Sequence, residues 1–143
     1  MTVTVSKEVE FDAGHRVPNH ESKCRHPHGH RYRVRVTCEG QVNLDPMSPE
    51  FGMVIDFGVL KTVLVEEVHD RWDHATIVHS DDTELRQALD GHGWHVEIVP
   101  VVPTAENIAR LIHELIRDRL PGELTVTTVE VWETPTSLAV YRP

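Results

Sequence analysis

Two stretches of alternating polarity constrain the fold of this chain more than any other feature. Between residues 2 and 15, and again between residues 28 and 38, apolar and polar side chains alternate with few exceptions. A period of two over such lengths is typical of β-strands with one buried face. We therefore expect a long antiparallel hairpin. Its connection, residues 16–27, is too long for a tight turn, and long loops on rigid strands often carry function.

Two longer segments have helical spacing instead. Apolar residues follow the candidate N-cap Asp56 at helical intervals and predict an amphipathic helix over roughly 57–71. A second helix is expected to begin after its N-cap Thr104 and to end at Pro121–Gly122. A short helical turn is expected at Thr83–Leu89, before Gly91.

The remaining segments complete the fold prediction. We expect a short strand at 53–55, irregular structure over 73–82 and an extended segment over 95–102. Residues 124–132 and 137–141 read as two further strands, which are separated by Pro135. The order ββααββ predicts an α+β fold with an antiparallel sheet and two helices on one face. The 143 residues suffice for a single domain, 1–143.

Charge and cysteine content narrow the function classes. The net charge of −9 argues against a general nucleic-acid binder, and no apolar run approaches the length of a membrane span. Two cysteines indicate a reducing cytoplasm. Residues 16–35 carry six basic residues against Glu21 alone, so this segment is basic while the rest of the chain is acidic. Such a patch suits either a phosphorylated small molecule or an exposed strand face.

Histidine is the most unusual component, with five of the 11 histidines between residues 15 and 30. His28 and His30 are two apart on one strand and share a face, and His15 continues the inward face of the partner strand. Three converging imidazoles with an open fourth position are typical of catalytic zinc, although a lone His-x-His often belongs to core or surface histidines. Zinc is favoured over iron because no carboxylate obviously completes a facial triad. His20 and His26 are out of phase with this face and are interpreted as surface or substrate-contact residues.

Cys24 lies four residues before His28, among basic neighbours that favour the thiolate. It is a candidate general base or an ordinary exposed cysteine. Cys38, in phase with the apolar strand positions, is interpreted as core packing. Asp73 and His74 form a candidate dyad, in which a carboxylate orients an imidazole.

Three more positions have two interpretations each. Glu133 ends an apolar strand, where it is either solvated or accepts paired hydrogen bonds from a 2-amino-pyrimidinone ring. Thr104 and Glu106 are either binding residues or the cap and first-turn charge of a helix.

Joined in order, these motifs resemble the 6-pyruvoyltetrahydropterin synthase / 6-carboxytetrahydropterin synthase family. The resemblance runs from residue 11 to 141, and its specificity lies in the order and spacing of all the pieces. The matching pieces are Phe11-Asp12-Ala13-Gly14-His15, Lys23-Cys24-x-x-x-His28-Gly29-His30-x-Tyr32, Gly52-Met53-Val54-Ile55-Asp56-Phe57-x-x-Leu60-Lys61, Asp73-His74, Pro103-Thr104-x-Glu106-Asn107-Ile108-Ala109, Glu133-Thr134 and Tyr141.

The resemblance implies the T-fold, in which subunits join their sheets into a barrel. It also implies a homohexamer of two stacked trimers, with active sites between subunits. The resemblance implies that His15, His28 and His30 bind zinc and that Cys24 is the general base. It implies that Asp73 and His74 form a dyad that reaches this base from a neighbouring subunit. It also implies that Glu133 binds the pterin, assisted by Thr104 and Glu106.

The three-residue gap between Cys24 and His28 resembles the bacterial queuosine-pathway members. Their reaction converts 7,8-dihydroneopterin triphosphate to 6-carboxy-5,6,7,8-tetrahydropterin, acetaldehyde and triphosphate. Two alternatives remain: a pyruvoyl-forming synthase, which eliminates triphosphate without C–C cleavage, and a non-catalytic zinc- or pterin-binding protein. The basic residues of the 16–35 segment are candidates for holding the triphosphate. One departure, Ile77-Val78 where the family usually has Leu-Asn, puts the shape of that loop in question.

Overall fold

The sheet is built around the long hairpin that the alternation predicts. In the computed structural model, which describes residues 1–143, β1 and β2 pair without interruption from Thr2 opposite Gln41 to His15 opposite His28. The sheet has six strands in the order β4-β3-β1-β2-β5-β6. The strands are β1 (Thr2–His15), β2 (His28–Gln41), β3 (Ala75–His79), β4 (Val96–Val99), β5 (Thr125–Thr134) and β6 (Ser137–Tyr141).

Four of these strands form the predicted antiparallel sheet. β5 pairs with β2, and β6 pairs with β5, both antiparallel. The register shifts once in each pair, between Thr37 and Cys38 and between Trp132 and Thr134. The second shift lies at the end of β5 that carries Glu133.

The other two strands correct the sequence-based expectations. β3 pairs in parallel with β1 at Ala13 and Gly14, so the prediction of irregular structure over 73–82 is wrong for Ala75–His79. The buried pair Ile77–Val78 drives this strand into the core, but it is short and flanked by polar residues that hide its pattern. β4, inside the expected extended segment, pairs in parallel with β3.

The predicted short strand at 53–55 is also wrong. The backbone N–H groups of Asn43 and Gly52 donate to the carbonyls of Met53 and Asn43, each at 2.8 Å. These bonds close a local loop, and residues 53–55 join no strand of the sheet.

The first predicted helix is confirmed as one continuous helical stretch in three pieces. α1 (Phe57–Leu64) passes through a π-helical turn (Val65–His69) into α2 (Asp70–Trp72). Asp56 caps it by accepting from the Gly58 N–H at 2.7 Å. Val68 and Trp72, within and beyond the π turn, are both buried in the core.

The later helices also lie where they are expected. The short α3 spans Thr83–Leu89, and α4 (Ala105–Ile116) begins after Thr104 and buries Ile108, Ile112 and Ile116. α4 packs on β5 and β6, and α1 packs on β1. No helix combines the length and the apolar character that crossing a membrane requires.

A buried ion pair ties the end of β1 to α3. The Arg16 guanidinium donates to both carboxylate oxygens of Asp82, with Nε to Oδ2 at 2.7 Å. Asp82 is only 7% exposed and also caps α3 by accepting from the Leu85 N–H. The hydrogen bond from Arg16 is the main cause that holds the pKa of Asp82 below its usual range.

We expect Asp82→Asn to lower the free energy of unfolding by about 2–4 kcal/mol, because it leaves Arg16 without its buried counter-charge. Urea denaturation at fixed protein concentration measures the loss. The matched control is Glu84→Gln, since Glu84 contacts the same guanidinium at 3.3 Å but is 86% exposed, and it should cost less than about 0.5 kcal/mol. Equal losses in the two variants would contradict a special role for Asp82.

The pH dependence follows from the lowered pKa. The stabilisation by Asp82 is complete above the unfolded carboxyl pKa of about 3.9 and is lost as the pH falls through the lower folded pKa. The difference between wild type and Asp82→Asn should therefore shrink below about pH 4.

Candidate metal centre and active site

Three imidazoles converge where the two strands of the hairpin meet the loop. His15 ends β1 and lies directly opposite His28, the first residue of β2, and His30 follows two residues later on the same face. Their candidate ligand atoms all lie within 4.8 Å of one another. The juxtaposition expected from strand pairing is confirmed.

The backbone fixes the tautomers of two of these rings. His15 Nδ1 lies 2.7 Å from the carbonyl of Pro103, and His28 Nδ1 lies 2.6 Å from the carbonyl of His26. A carbonyl only accepts, so each Nδ1 carries the proton and donates it. In the neutral rings the Nε2 atoms then present lone pairs, and these two atoms are 3.1 Å apart. Lone pairs at this distance repel unless a cation lies between them.

The third ring completes a donor set that fits zinc. His30 Nε2 is buried and has no hydrogen-bond partner. Burial is the main cause that lowers the pKa of both His15 and His30, which favours the neutral form that ligates a metal. Nitrogens held about 2.0–2.1 Å from a tetrahedral zinc ion lie about 3.3 Å apart. The 3.1 Å between the Nε2 atoms of His15 and His28 is close to this value.

A carboxylate stands beside the three histidines. Glu133 Oε1 is 3.6 Å from His30 Nε2, and Oε2 is 4.0 Å from His15 Nε2. No carboxylate that could complete a facial triad is obvious in the sequence, but the fold brings Glu133 within 4.0 Å of two of the three rings. The register shift near the end of β5 and the remote position of Glu133 in the chain hid this proximity.

One cavity of about 280 Å³ collects most of the predicted site residues. Its walls include two of the three histidines, the candidate base and all three candidate substrate-binding residues. These residues are His15, His28, Cys24, Thr104, Glu106 and Glu133. His20, interpreted from the sequence as a surface or substrate-contact residue, also lines the cavity.

Cys24 lies in a 3₁₀ turn, Lys23–Arg25, between the two strands. The Val17 N–H donates to the Cys24 carbonyl at 2.9 Å and holds this turn against the end of β1. The thiol is free and half-buried. Cys38 is fully buried, and burial raises its pKa to about 11, as expected for a core cysteine.

The start of α4 supports the site in two ways. Thr104 Oγ1 accepts from the Asn107 N–H at 3.4 Å, so Thr104 is a helix cap and also borders the cavity. The preceding residue, Pro103, orients His15 through its carbonyl. Sequence reasoning missed Pro103, since a backbone acceptor leaves no side-chain signal.

Asp73 and His74 form the expected dyad, but not in this cavity. His74 Nδ1 donates to Asp73 Oδ2 at 2.7 Å. Asp73 Oδ1 accepts from the Asp12 N–H at 2.9 Å, which is the main cause of its lowered pKa. His74 has a positive φ of 60° and its side chain is 79% exposed, in a second groove that Gly29 and His30 also line. Within one chain the dyad does not line the cavity that holds Cys24.

Tyr32 is a buried neighbour to which sequence reasoning gave no role. Its ring stacks on Phe11 and meets the edges of His15 and His30, with ring centroids 6.0 and 5.6 Å away. Its hydroxyl is buried without a hydrogen-bond partner. The sequence pattern could have indicated this position, because Tyr32 follows His28 and His30 at every second residue of the strand and so shares their face.

Proteins similar to this chain are named as tetrahydropterin synthases. The family model described as 6-pyruvoyl tetrahydropterin synthase matches residues 4–143. The 6-carboxy-5,6,7,8-tetrahydropterin synthase of Rickettsia bellii is 38% identical over 136 residues, which cover 93% of this chain and 95% of the relative. The enzyme of the same name from Haemophilus influenzae is 33% identical and covers 96% and 97%.

Solved structures share the fold. A protein of Wolinella succinogenes described as uncharacterized superposes with a TM-score of 0.80 at 28% identity, over 99% of this chain and 98% of that one. The 6-pyruvoyl tetrahydropterin synthase of Caenorhabditis elegans gives a TM-score of 0.71 at 24% identity, over 100% and 96%. The expected T-fold is confirmed, and the chain belongs to the 6-pyruvoyl tetrahydropterin synthase family.

Proposed function

We propose that this protein is a zinc-dependent 6-carboxy-5,6,7,8-tetrahydropterin synthase. It would convert 7,8-dihydroneopterin triphosphate and one water molecule to 6-carboxy-5,6,7,8-tetrahydropterin, acetaldehyde and triphosphate, in the cytoplasm and for queuosine or a related deazapurine. The observation that carries the proposal is the cavity that places Cys24 beside two of three converging imidazoles. Relatives that carry this enzyme name match over nearly their full length.

In this proposal His15, His28 and His30 hold the zinc ion through their Nε2 atoms. When bound, zinc supplies a Lewis acid that polarises the side-chain oxygens of the substrate. The carbonyls of Pro103 and His26 keep two of the rings in the ligating tautomer, as second-shell acceptors do in other metal sites.

Glu133 is proposed to bind the pterin ring. Its carboxylate would accept paired N–H bonds from the 2-amino-pyrimidinone edge, with Thr104 and Glu106 assisting. Because Glu133 lies within 4 Å of His15 and His30, a ring bound there carries its C6 side chain next to the three histidines.

Cys24 and the Asp73–His74 dyad are proposed to move protons. The Cys24 thiolate takes a proton from the substrate side chain, and His74 gives or takes one at Nε2. Asp73 accepts the Nδ1–H of His74 and so leaves Nε2 facing outward. Because the dyad lies outside the cavity of its own chain, we propose that a neighbouring subunit of a homohexamer, built from two trimers, supplies it.

A product assay tests the proposed function. Purified protein of known zinc content is incubated with 7,8-dihydroneopterin triphosphate, and acetaldehyde and the pterin product are followed by mass, with and without a chelator. We expect acetaldehyde and carboxytetrahydropterin in equal amounts, and loss of both when zinc is removed.

Two other outcomes would contradict the proposal. A pyruvoyl product without acetaldehyde would identify a 6-pyruvoyltetrahydropterin synthase, because that reaction does not cleave the C–C bond. No conversion by zinc-loaded protein would favour a binding protein that does not react.

A further inference from the structure

Three of the six basic residues in the 16–35 segment are paired with carboxylates in the fold. Arg31 pairs with Glu10 and Asp12, and Arg35 pairs with Glu8 and Glu130. Arg31, Arg33 and Arg35 also alternate with the core-facing positions of β2, so they lie on the sheet face opposite the histidines.

Two further arginines, Arg16 directly after β1 and Arg33 in β2, also have partners. Arg16 pairs with the buried carboxylate of Asp82. The Arg33 guanidinium lies 4.0 Å above the Trp132 ring, on the far face of the sheet. These four arginines therefore do not provide a free cation to the cavity.

Lys23 and Arg25 differ from all four. They flank Cys24 on the 3₁₀ turn at the wall of the cavity, and both are exposed. Neither has a carboxylate within ion-pair distance, and Arg25 donates only to the backbone carbonyl of Glu21 at 3.0 Å. They are the two cations of the basic segment that have neither a carboxylate nor an aromatic ring as a partner.

The carboxylates that line the cavity disfavour an anion in their part of it. Glu106 and Glu133 also line it, and their carboxylates repel a polyphosphate. The Cys24 turn is the part of the cavity wall that is flanked by cations, so it is where a polyphosphate bound in this cavity is favoured.

We infer that Lys23 and Arg25 bind the triphosphate of the substrate. This inference rests on the proposed function for the identity of the substrate, but it concerns a separate anion site. Its chemistry is that of two charge-assisted contacts to phosphate oxygens, an ammonium and a planar guanidinium. The inference also narrows the candidates for holding the triphosphate from the six basic residues of the 16–35 segment to two.

The test is the double variant Lys23→Gln/Arg25→Gln, with each single variant alongside. We expect KM for 7,8-dihydroneopterin triphosphate to rise about tenfold in each single variant and about a hundredfold in the double variant, while kcat stays within about threefold. The salt dependence of kcat/KM should flatten in the double variant. Zinc content should not change. Lys61→Gln, which removes an exposed cation from α1, is the matched control and should match wild type.

Calorimetric titration of the zinc-loaded protein with inorganic tripolyphosphate provides a second readout, with zinc content measured again afterwards. We expect the affinity for tripolyphosphate to fall in the double variant by the same factor as KM rises. The conservative variant Lys23→Arg should keep most of the affinity that Lys23→Gln loses. If both quantities are unchanged while wild type turns over, the inference is wrong and the proposed function stands. If wild type does not convert the substrate, the proposed function fails. The titration then decides the anion site alone: loss of affinity in the double variant supports it, and unchanged affinity overturns it.

Discussion

Replacing Cys24 with alanine is expected to abolish turnover of 7,8-dihydroneopterin triphosphate while the metal stays bound. Cys24 lines the same cavity as His15 and His28, but it does not belong to the three-histidine cluster. A positioned proton-transfer group contributes about 10²–10⁴ in rate, so we expect kcat/KM to fall by about a thousandfold or more. Acetaldehyde release and zinc content per chain measure the two halves of this prediction.

The second cysteine provides a matched control. Cys38 is fully buried in the core, so Cys38→Ala removes the same sulfur from a position without access to substrate. It should cost about 1 kcal/mol of stability and leave kcat nearly unchanged. Near-wild-type turnover in Cys24→Ala would remove this thiol from the mechanism.

Mixing inactive variants tests where the dyad acts. Chains with Cys24→Ala and chains with His74→Ala are each expected to be inactive. If neighbouring subunits share the site, hexamers assembled from equal amounts of both should recover about a quarter of wild-type activity, since one site in four then has both residues. If Cys24 and His74 act within one chain, mixing recovers nothing.

The hairpin was predictable because its pattern is long and its register leaves little freedom. A slip of one residue between β1 and β2 would move every apolar side chain to the wrong face, so the alternation puts His15 and His28 on the same inward face of paired strands. The same reasoning places His30 and Tyr32 beside them. The α4 boundary was predictable for a local reason, the Thr104 cap followed by an apolar stripe.

The features that could not be predicted depend on contacts between distant parts of the chain, which leave no local sequence pattern. β3 is held by two residue pairs with β1 and by burial of Ile77 and Val78, and neither is visible in a short segment with polar flanks. Arg16 seemed free in the sequence, but Asp82 neutralises it from 66 residues away. The dyad of Asp73 and His74 was recognisable, whereas its position outside the Cys24 cavity was not.

Replacing His28 or His30 with alanine is expected to remove the metal. Each ring is one of three donors whose candidate ligand atoms lie within 4.8 Å of one another. Losing a second-shell partner already costs about 10–100-fold in metal affinity, so losing a ligand should cost more than about 100-fold. Zinc measured after dialysis against a competing chelator should fall from about one ion per chain to a trace. Activity should fall with it.

His20 is the control that makes this result specific. It lines the same cavity, but its Nδ1 accepts from the Ser22 N–H and it lies outside the three-histidine cluster. His20→Ala should therefore keep its zinc. Saturating zinc should also raise the melting temperature of wild type and of His20→Ala, since it stabilises only the folded state, and should not raise that of His28→Ala. Equal zinc content in wild type, His20→Ala and His28→Ala would show that the converging imidazoles do not bind the metal. The loss of His28 would then have no more effect on zinc binding than the loss of His20, which is outside the cluster.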